Sequence, residues 1–231
     1  MKTKVVVSDW DGVLCDSAEI YVAHFNTVLR HYGKEEITIE DFRAKVSCPL
    51  AKETFKRLGI EEHDLPDAFR QFMELARLGP QPNLFPYAYD TLRWLHDRSI
   101  AVYITSAHHE EDLGRFIGNY GLAGFLTGIR GDARPLDKIN FLECVISARG
   151  ILPDELVFVD DMDEIISLAE RVGCYRVASA SGFCSYERLR NARPDKIIYH
   201  LKGLQGFINW IDFHEQQGPP ISNPSKKQSE K

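Results

Sequence analysis

The segment Val5-Val6-Val7-Ser8-Asp9-Trp10-Asp11-Gly12-Val13-Leu14 determines how the rest of the chain is interpreted. Its three valines form a short apolar, β-branched run of the kind that predicts a buried strand. Asp9 and Asp11 follow where this strand opens into a loop, and their i, i+2 spacing points both carboxylates to the same side. Two neighbouring carboxylates are costly to hold together unless a cation or a shared proton relieves their repulsion. The alternative is a turn in which one Asp caps backbone amides and Gly12 supplies a positive φ.

Four later apolar runs predict four more strands, at residues 100–104, 156–159, 175–178 and 196–199. Helical periodicity covers residues 136–149 and 164–172, and a glycine follows each of these segments. Strands that alternate with helices are typical of a parallel sheet covered on both faces. The sequence therefore predicts an α/β protein with a Rossmann-like parallel sheet.

The interval between the first two predicted strands is too long for one crossover. It holds roughly 90 residues, whereas a crossover needs only about a dozen plus a helix. Asp16-Ser17-Ala18-Glu19 resembles a capping box at the start of a helix, and Thr38 marks another helix start. We expect an inserted all-helical cap subdomain at residues 16–86, and a core formed by residues 1–15 and 87–211.

The composition excludes several classes of protein. The 231 residues carry 28 Lys+Arg against 34 Asp+Glu, a formal net charge of -6, so no diffuse positive field exists to hold nucleic acid or acidic lipid. No apolar stretch approaches the ~18 residues of a membrane span or resembles a signal-peptide core. Five widely spaced cysteines without a C-x-x-C pair argue against a disulfide scaffold or a zinc site. We expect a cytoplasmic protein without a nucleic-acid or membrane partner, whose polar residues 212–231 form a disordered tail.

A second acidic pair, Asp160-Asp161, ends the apolar run 156–159. In an open α/β sheet, ligands bind beyond the carboxyl ends of the strands, so the two acidic pairs can converge on one ion. Oxygen ligands of this kind suit Mg²⁺. The alternative is that Asp160 or Asp161 merely caps a helix that begins near Asp163.

Two further residues are expected at the same edge of the sheet. Thr105 follows the run 100–104, where its hydroxyl can hydrogen-bond an anionic oxygen. Lys138 opens the helix predicted at residues 136–149 and would bring an ammonium group to that edge. Taken separately, a strand-end Thr is usually a helix cap and a helical Lys is usually solvated. Thr105 and Lys138 therefore indicate a functional site only together with the two acidic pairs and with the order of all these residues in the chain.

That order, D-x-D, then Thr, then Lys, then D-D, resembles the haloacid dehalogenase (HAD) superfamily over about residues 4–211. Residues 8–17, Ser-Asp-Trp-Asp-Gly-Val-Leu-Cys-Asp-Ser, resemble the D-x-D-G-T-L-x-D-S opening of its phosphoglycolate phosphatase-like branch, with Val13 where Thr is usual. Phe85-Pro86-Tyr87 is similar to the Pro-Gly hinge by which the chain re-enters the core, with Tyr87 in place of Gly. The resemblance implies a helical cap inserted after the first strand.

The resemblance also implies a reaction. Asp9 would be the nucleophile that forms an aspartyl-phosphate, and Asp11 would be the general acid and then the general base. Family members that displace halide lack an acid at the position of Asp11, so its presence argues for phosphate transfer. Thr105 would hold a phosphoryl oxygen, and Lys138 would neutralise charge between Asp9 and the phosphoryl group. The implied Mg²⁺ ligands are Asp9, the backbone carbonyl of Asp11, Asp161 and, in an assisting role, Asp160.

We therefore expect a Mg²⁺-dependent phosphomonoesterase that acts on a small phosphorylated metabolite. A phosphomutase is the nearest alternative, because the same aspartyl-phosphate can return its group to a sugar. From other classes, a phospho-accepting signalling domain and a noncatalytic binding protein remain open. The sequence names neither the substrate nor the oligomeric state.

Several other residues have weaker claims to a role in the site. Arg43, Lys45 and Lys52 flank a predicted cap loop and are interpreted as solvated charges rather than as substrate ligands. Cys48 is interpreted as a small packed residue. His108-His109 is interpreted as the beginning of the helix after Thr105, not as a metal site.

Overall fold

A computed structural model describes residues 2–47 and 50–216 of the chain. Its strands are β1 (Val5–Asp9), β2 (Cys15–Asp16), β3 (Asn83–Leu84), β4 (Ala101–Thr105), β5 (Gly128–Arg130), β6 (Leu156–Asp160), β7 (Tyr175–Ser179) and β8 (Lys196–Ile198). Its helices are α1 (Ala18–His31), α2 (Ile39–Lys45), α3 (Leu50–Arg57), α4 (Leu65–Leu78), α5 (Ala88–Asp97), α6 (Glu110–Asn119), α7 (Pro135–Arg149), α8 (Asp163–Leu168), α9 (Tyr186–Asn191) and α10 (Lys202–Gln216). Short 3₁₀ turns complete the described elements.

Six strands form one sheet in the order β5-β4-β1-β6-β7-β8. Every ladder in this sheet is parallel, which confirms the predicted α/β class with a Rossmann-like sheet. The side chains of β1 alternate between the two faces: Val5 and Val7 join one buried cluster, and Val6 joins the other. Because helices cover both faces, the central strands β1 and β6 are buried along their whole length.

Two short features escaped the sequence interpretation. β5 has only three residues, Gly-Ile-Arg, and a single apolar side chain gives no periodic signal. β2 and β3 have two residues each and pair antiparallel, with Cys15 opposite Leu84 and Asp16 opposite Asn83. This ribbon lies at the two ends of the segment predicted as an insertion.

In the chain, the helices α1 to α4 come between the two strands of the ribbon. They pack around a buried aromatic cluster. The ring of Phe25 has centroid distances of 4.7 Å to Phe55, 4.7 Å to Phe72 and 5.5 Å to Phe42. These rings belong to the same buried cluster as one face of the sheet. The inserted helices therefore pack directly on the α/β core. The residue boundaries of the cap, 16–86, stay a prediction.

The helix starts predicted in the insertion differ in their capping. The helix start predicted at residues 16–19 is confirmed, because α1 begins at Ala18. The capping box predicted there is wrong, because the N-cap residue is Ser17 and its buried hydroxyl makes no capping hydrogen bond. At α2, Thr38 Oγ1 accepts a hydrogen bond from the Asp41 amide at 3.1 Å, and Asp41 Oδ2 accepts one from the Thr38 amide at 3.1 Å. This reciprocal pair is a capping box, so the helix start at Thr38 is confirmed.

The re-entry segment after β3 carries a constrained backbone. Tyr87 has a φ of 70° and a left-handed backbone conformation. Gly adopts this conformation freely, whereas a residue with a Cβ adopts it at a cost in free energy. This conformation fits the resemblance to a hinge with Gly at that position. The Tyr87 ring packs against His200 at 5.7 Å and lies 5.7 Å from Lys202 Nζ, so the side chain supplies contacts that Gly could not.

The C-terminal helix corrects one predicted boundary. The tail predicted from residue 212 is wrong for residues 212–216, because α10 continues to Gln216. Asp212 Oδ1 accepts hydrogen bonds from the amides of Lys2 at 2.8 Å and Thr3 at 3.1 Å, which ties this helix to the start of the chain. Residues 217–231 lie outside the described residues. Within the described part of the chain, none of the helices combines the length and apolar character that a membrane span requires.

Candidate active site

Three of the predicted site residues end three neighbouring strands. Asp9 ends β1, Thr105 ends β4 and Asp160 ends β6. The parallel register sets Asp9 directly beside Thr105. The carboxyl ends of the central strands therefore bring these side chains to one edge of the sheet, as a parallel topology requires.

Lys138 joins this group from the first turn of α7. Its ammonium lies 2.9 Å from Asp9 Oδ2 and 2.9 Å from Asp160 Oδ2. The side chain is only 7% exposed, so the alternative of a solvated helical lysine does not hold. Burial alone would lower the pKa of Lys138, but Asp160 and Asp9 raise it overall, so the group stays charged.

The acidic residues fit a divalent cation. Asp9, Asp160 and Asp161 each offer one carboxylate oxygen, and these atoms lie within 4.8 Å of one another. A Cβ on Gly12 would come within 1.9 Å of Asp161 Oδ2, and one on Gly182 within 2.1 Å. The two glycines thus make room for the Asp161 carboxylate. Hard oxygen donors at this spacing fit Mg²⁺.

The charges at this edge do not balance within the protein alone. Burial raises the pKa of Asp9 to about 7, although Lys138 opposes the shift and Asp160 adds to it. Burial, together with Asp160 and Asp9, also raises the pKa of Asp161 well above its usual range. Three buried carboxylates face one ammonium, so a bound cation would stabilise their ionised forms.

Thr105 is fully buried, and its Oγ1 atom has no hydrogen-bond partner within the described residues. An unpaired buried hydroxyl is costly. It is typical of a position where a ligand oxygen completes the hydrogen bonding. This placement suits the predicted contact with a phosphoryl oxygen.

Asp11 has a different environment from Asp9. Its Oδ2 atom lies 2.9 Å from His108 Nε2 and accepts a 3.4 Å hydrogen bond from the Tyr21 hydroxyl. Burial alone would raise the pKa of Asp11, but the ion pair with His108 outweighs it and the net pKa is lowered. Its other oxygen, Oδ1, is buried and accepts no hydrogen bond of normal geometry from the described residues. The buried Ser17 hydroxyl, also without such a bond, lies near Asp11 and helps to lower its pKa.

The contact of His108 with Asp11 was missed by the sequence interpretation. α6 begins at Glu110 with His109 as its N-cap residue, so His108 belongs to the preceding loop and not to the helix. His109 is mostly exposed and pairs with Asp132 at 2.6 Å. Its position in the sequence could have indicated this contact, because His108 lies three residues beyond Thr105, at the same edge of the sheet.

The inserted helices meet the core along a polar contact that we call the seam, formed by Arg43, Ser47, Asp163, Glu164 and Arg188. Arg188 donates to Asp163 at 2.7 and 3.0 Å and to the Val46 carbonyl at 2.6 Å. Ser47 Oγ donates to Glu164 at 2.7 Å. The seam therefore joins the end of α2 to the core.

Arg43 is half-buried, and its Nε donates to the Gly182 carbonyl at 3.1 Å. The interpretation of Arg43 as a solvated charge is wrong, because the fold brings the residue against the loop after β7. Lys45 and Lys52 are exposed, in agreement with their interpretation as solvated charges. Cys48 lies outside the described residues.

The sequence is similar to named phosphatases along most of its length. It is 24% identical over 196 residues to a phosphoglycolate phosphatase of Synechococcus elongatus, covering 84% of this chain and 92% of that protein. It is 26% identical over 220 residues to the pyrophosphatase PpaX of Anoxybacillus flavithermus, covering 90% of this chain and 98% of that protein. These relatives confirm the predicted resemblance to the phosphoglycolate phosphatase-like branch.

Solved structures agree in fold. A haloacid dehalogenase-like hydrolase from Streptococcus pneumoniae superposes with a TM-score of 0.75 at 19% identity, covering 90% of this chain and 99% of that one. A candidate β-phosphoglucomutase from Bacteroides vulgatus superposes with a TM-score of 0.69 at 14% identity, covering 91% and 89%. The sequence profile of the haloacid dehalogenase-like hydrolases matches residues 6–179. The chain therefore belongs to the haloacid dehalogenase-like hydrolase family.

Proposed function

We propose that the protein is a Mg²⁺-dependent phosphomonoesterase that hydrolyses a small phosphorylated metabolite through an aspartyl-phosphate on Asp9. The observation that carries the proposal is the buried contact of Lys138 with Asp9 and Asp160, at 2.9 Å each, beside the unpaired hydroxyl of Thr105. This group offers a nucleophile, a cation and a hydrogen-bond donor to one phosphoryl group.

In the first step, a carboxylate oxygen of Asp9 forms a bond to phosphorus as the bond from phosphorus to the leaving oxygen breaks. Asp11 is ionised in the free protein, because burial is outweighed by the ion pair with His108, which lowers its pKa, and the negative charge of the bound phosphoryl group favours its protonated form. Asp11 then gives this proton to the leaving oxygen, so the leaving group departs as a neutral alcohol. Lys138 and Thr105 hold the phosphoryl oxygens while charge shifts across them. The products of this step are the alcohol, the Asp11 carboxylate and the aspartyl-phosphate.

In the second step, water attacks the phosphorus and gives a proton to the Asp11 carboxylate. The bond between Asp9 and phosphorus breaks, so inorganic phosphate leaves and both side chains return to their starting states. The residues that would hold Mg²⁺ are Asp9, Asp160, Asp161 and the backbone carbonyl of Asp11. When bound, the ion supplies positive charge that offsets the carboxylates and the phosphoryl group.

The inserted helices lie close to the reacting residues. Tyr21 of α1 reaches Asp11 at 3.4 Å, so a substrate here would be covered by α1 to α4. Enclosure of this kind excludes water and favours small substrates. Phosphoglycolate and pyrophosphate are the first compounds to test, because similar proteins are named for them. Sugar phosphates and nucleotides complete the screen.

The proposal is tested by measuring phosphate release from small phosphate esters with and without Mg²⁺. We expect multiple turnovers with Mg²⁺ only, and a loss of at least about 10³-fold in kcat for Asp9→Asn. Asp97→Asn, at the exposed end of α5, is the matched control and should keep full activity. Undiminished hydrolysis by Asp9→Asn would end the nucleophile assignment.

The products separate this function from its alternatives. With a hexose monophosphate, a hydrolase releases inorganic phosphate and a mutase returns an isomeric sugar phosphate. A phospho-accepting signalling domain would take up at most one phosphoryl group per chain, and a noncatalytic binding protein would release none. We expect phosphate release in excess of the protein concentration.

A further inference from the structure

His108 is fixed against Asp11 by its surroundings. Its ring meets Phe116 edge-on, with centroids 5.3 Å apart, and its side chain is 19% exposed. Its backbone amide donates to Ser106 Oγ at 3.2 Å. The loop between β4 and α6 therefore directs Nε2 to Asp11 Oδ2, at 2.9 Å.

The two oxygens of Asp11 are unequal as a result. Oδ2 faces both His108 Nε2 and the Tyr21 hydroxyl, which are themselves 3.5 Å apart. Oδ1 is buried and accepts no hydrogen bond of normal geometry from the described residues. A carboxyl group anchored through one oxygen keeps its other oxygen in a defined direction. The geometry thus separates an anchoring oxygen from an oxygen available for reaction.

We propose that His108 is a positioning residue for Asp11. It holds Oδ2 so that Oδ1 carries the proton that moves to the leaving oxygen and is later regained from water. The proposal rests on the proposed function, because it assigns that proton to one atom of the general acid. His108 donates its Nε2–H hydrogen bond throughout and neither gains nor loses a proton.

Tyr21 gives this arrangement a second support, from the inserted helices. Its ring packs against Phe72 and Phe183, with centroids 5.7 and 5.0 Å away, and burial with the nearby Asp11 raises the pKa of its hydroxyl well above the usual value. Tyr21 is therefore a neutral donor to Asp11. At 3.4 Å this contact is longer than that of His108, so His108 is expected to have the larger effect.

The test compares two esters that differ in their need for a general acid. p-Nitrophenyl phosphate has a leaving group that departs readily without a proton, whereas glycerol phosphate releases an alkoxide that requires one. His108→Phe keeps a ring against Phe116 and removes the donor. We expect its kcat to fall about 10²-fold with glycerol phosphate and less than about threefold with p-nitrophenyl phosphate.

Two variants separate positioning from a structural role. His108→Gln returns an amide donor near the place of Nε2 and should recover part of the lost kcat with glycerol phosphate. His109→Phe makes the same change at the neighbouring exposed histidine and should leave both rates unchanged. Equal losses on both esters in His108→Phe, or a Gln variant no better than Phe, would overturn the proposal.

A second measurement covers the case in which His108→Phe folds poorly. In an Asp11→Asn background, His108→Gln should cause no further loss with glycerol phosphate, because its effect passes through Asp11. An additional loss there would also overturn the proposal. If the unaltered protein with Mg²⁺ hydrolyses neither these two esters nor any compound of the substrate screen, the proposed function itself fails. Failure of the His108 proposal alone leaves substrates hydrolysed by the unaltered protein.

Discussion

The ionic cluster at the sheet edge and the seam hold charges in opposite ways. At the edge, Lys138 contacts Asp9 and Asp160, and all three side chains are less than 10% exposed. At the seam, the Arg188 and Asp163 side chains are 18% and 20% exposed. A fully buried pair is costly to break by removing one partner, whereas a partly solvated contact contributes less. The fold thus holds the charges at the sheet edge inside the protein, and it adds partly solvated polar contacts where the inserted helices pack on the core.

Loss of the buried ammonium should have the largest effect. Lys138→Met leaves Asp9 and Asp160 buried without their cation, so the metal-free protein should lose about 3–5 kcal/mol of unfolding free energy. The kcat of ester hydrolysis should fall at least about 10²-fold. Chemical denaturation and steady-state kinetics measure the two effects.

Lys196→Met, at an exposed position of β8, is the matched control and should change neither quantity appreciably. Mg²⁺ should restore part of the lost stability in Lys138→Met, since a ligand of the folded state stabilises it. Equal changes of unfolding free energy and kcat in the two Lys variants would show that the buried sheet edge and the solvated surface do not differ in this respect.

The Mg²⁺ affinity of the sheet edge and its contribution to stability should both depend on pH. Burial raises the pKa of Asp9 to about 7 and that of Asp161 well above its usual range. Mg²⁺ must therefore displace protons at lower pH, and its affinity should fall there by up to about tenfold per pH unit for each proton displaced. The folded, metal-free protein binds more protons than the unfolded chain, so Asp9 lowers stability as the pH rises from about 4 to 7. Titration calorimetry in two buffers measures affinity and proton release, and an affinity that stays flat below pH 7 would contradict the assignment.

The sequence carried enough information to predict the edge. Asp9, Thr105 and Asp160 each end a strand that is built on a short apolar run. Parallel strands bring these ends together whatever the details of packing. Lys138 was located by its order in the chain and by the helix that begins beside it. These residues depend on local patterns and on one rule of topology.

Other contacts could not be predicted in this way. His108 meets Asp11 across 97 residues of chain, and Arg188 meets Val46 across 142, so each contact depends on loop conformation and on how the insertion packs. Arg43 has the same dependence. A charged residue in a loop has the same sequence pattern whether it is solvated or bound to a carbonyl.

The seam should affect substrate binding more than chemistry. Arg188→Gln removes the ion pair with Asp163 and the charged hydrogen bond to the Val46 carbonyl, at 2.6 Å. The contact of α2 with the core should weaken by about 1.5 kcal/mol, so a substrate covered by the inserted helices should bind up to about tenfold less tightly. KM should therefore rise, with a smaller change in kcat. Arg190→Gln, exposed on the same helix, is the control. A kcat loss as large as that of Lys138→Met would show that the seam takes part in the chemistry.

The smallest expected effect lies at the other end of α2. Thr38→Ala removes one half of an exposed capping box, so unfolding free energy should fall by about 1 kcal/mol while kcat is unchanged. Thr27→Ala is the matched control: its hydroxyl binds the Ala23 carbonyl within α1 at 2.9 Å, where Ala is the better helix former. Arg188 holds the carbonyl end of α2, so the two ends of this helix should be coupled. Thr38→Ala should therefore speed amide exchange in α2 more in Arg188→Gln than in the unaltered protein.

Additive effects on exchange would mean that the two ends of α2 attach independently. A tenfold loss of kcat in Thr38→Ala would mean that contacts of the inserted helices and the chemistry at the sheet edge do not act separately.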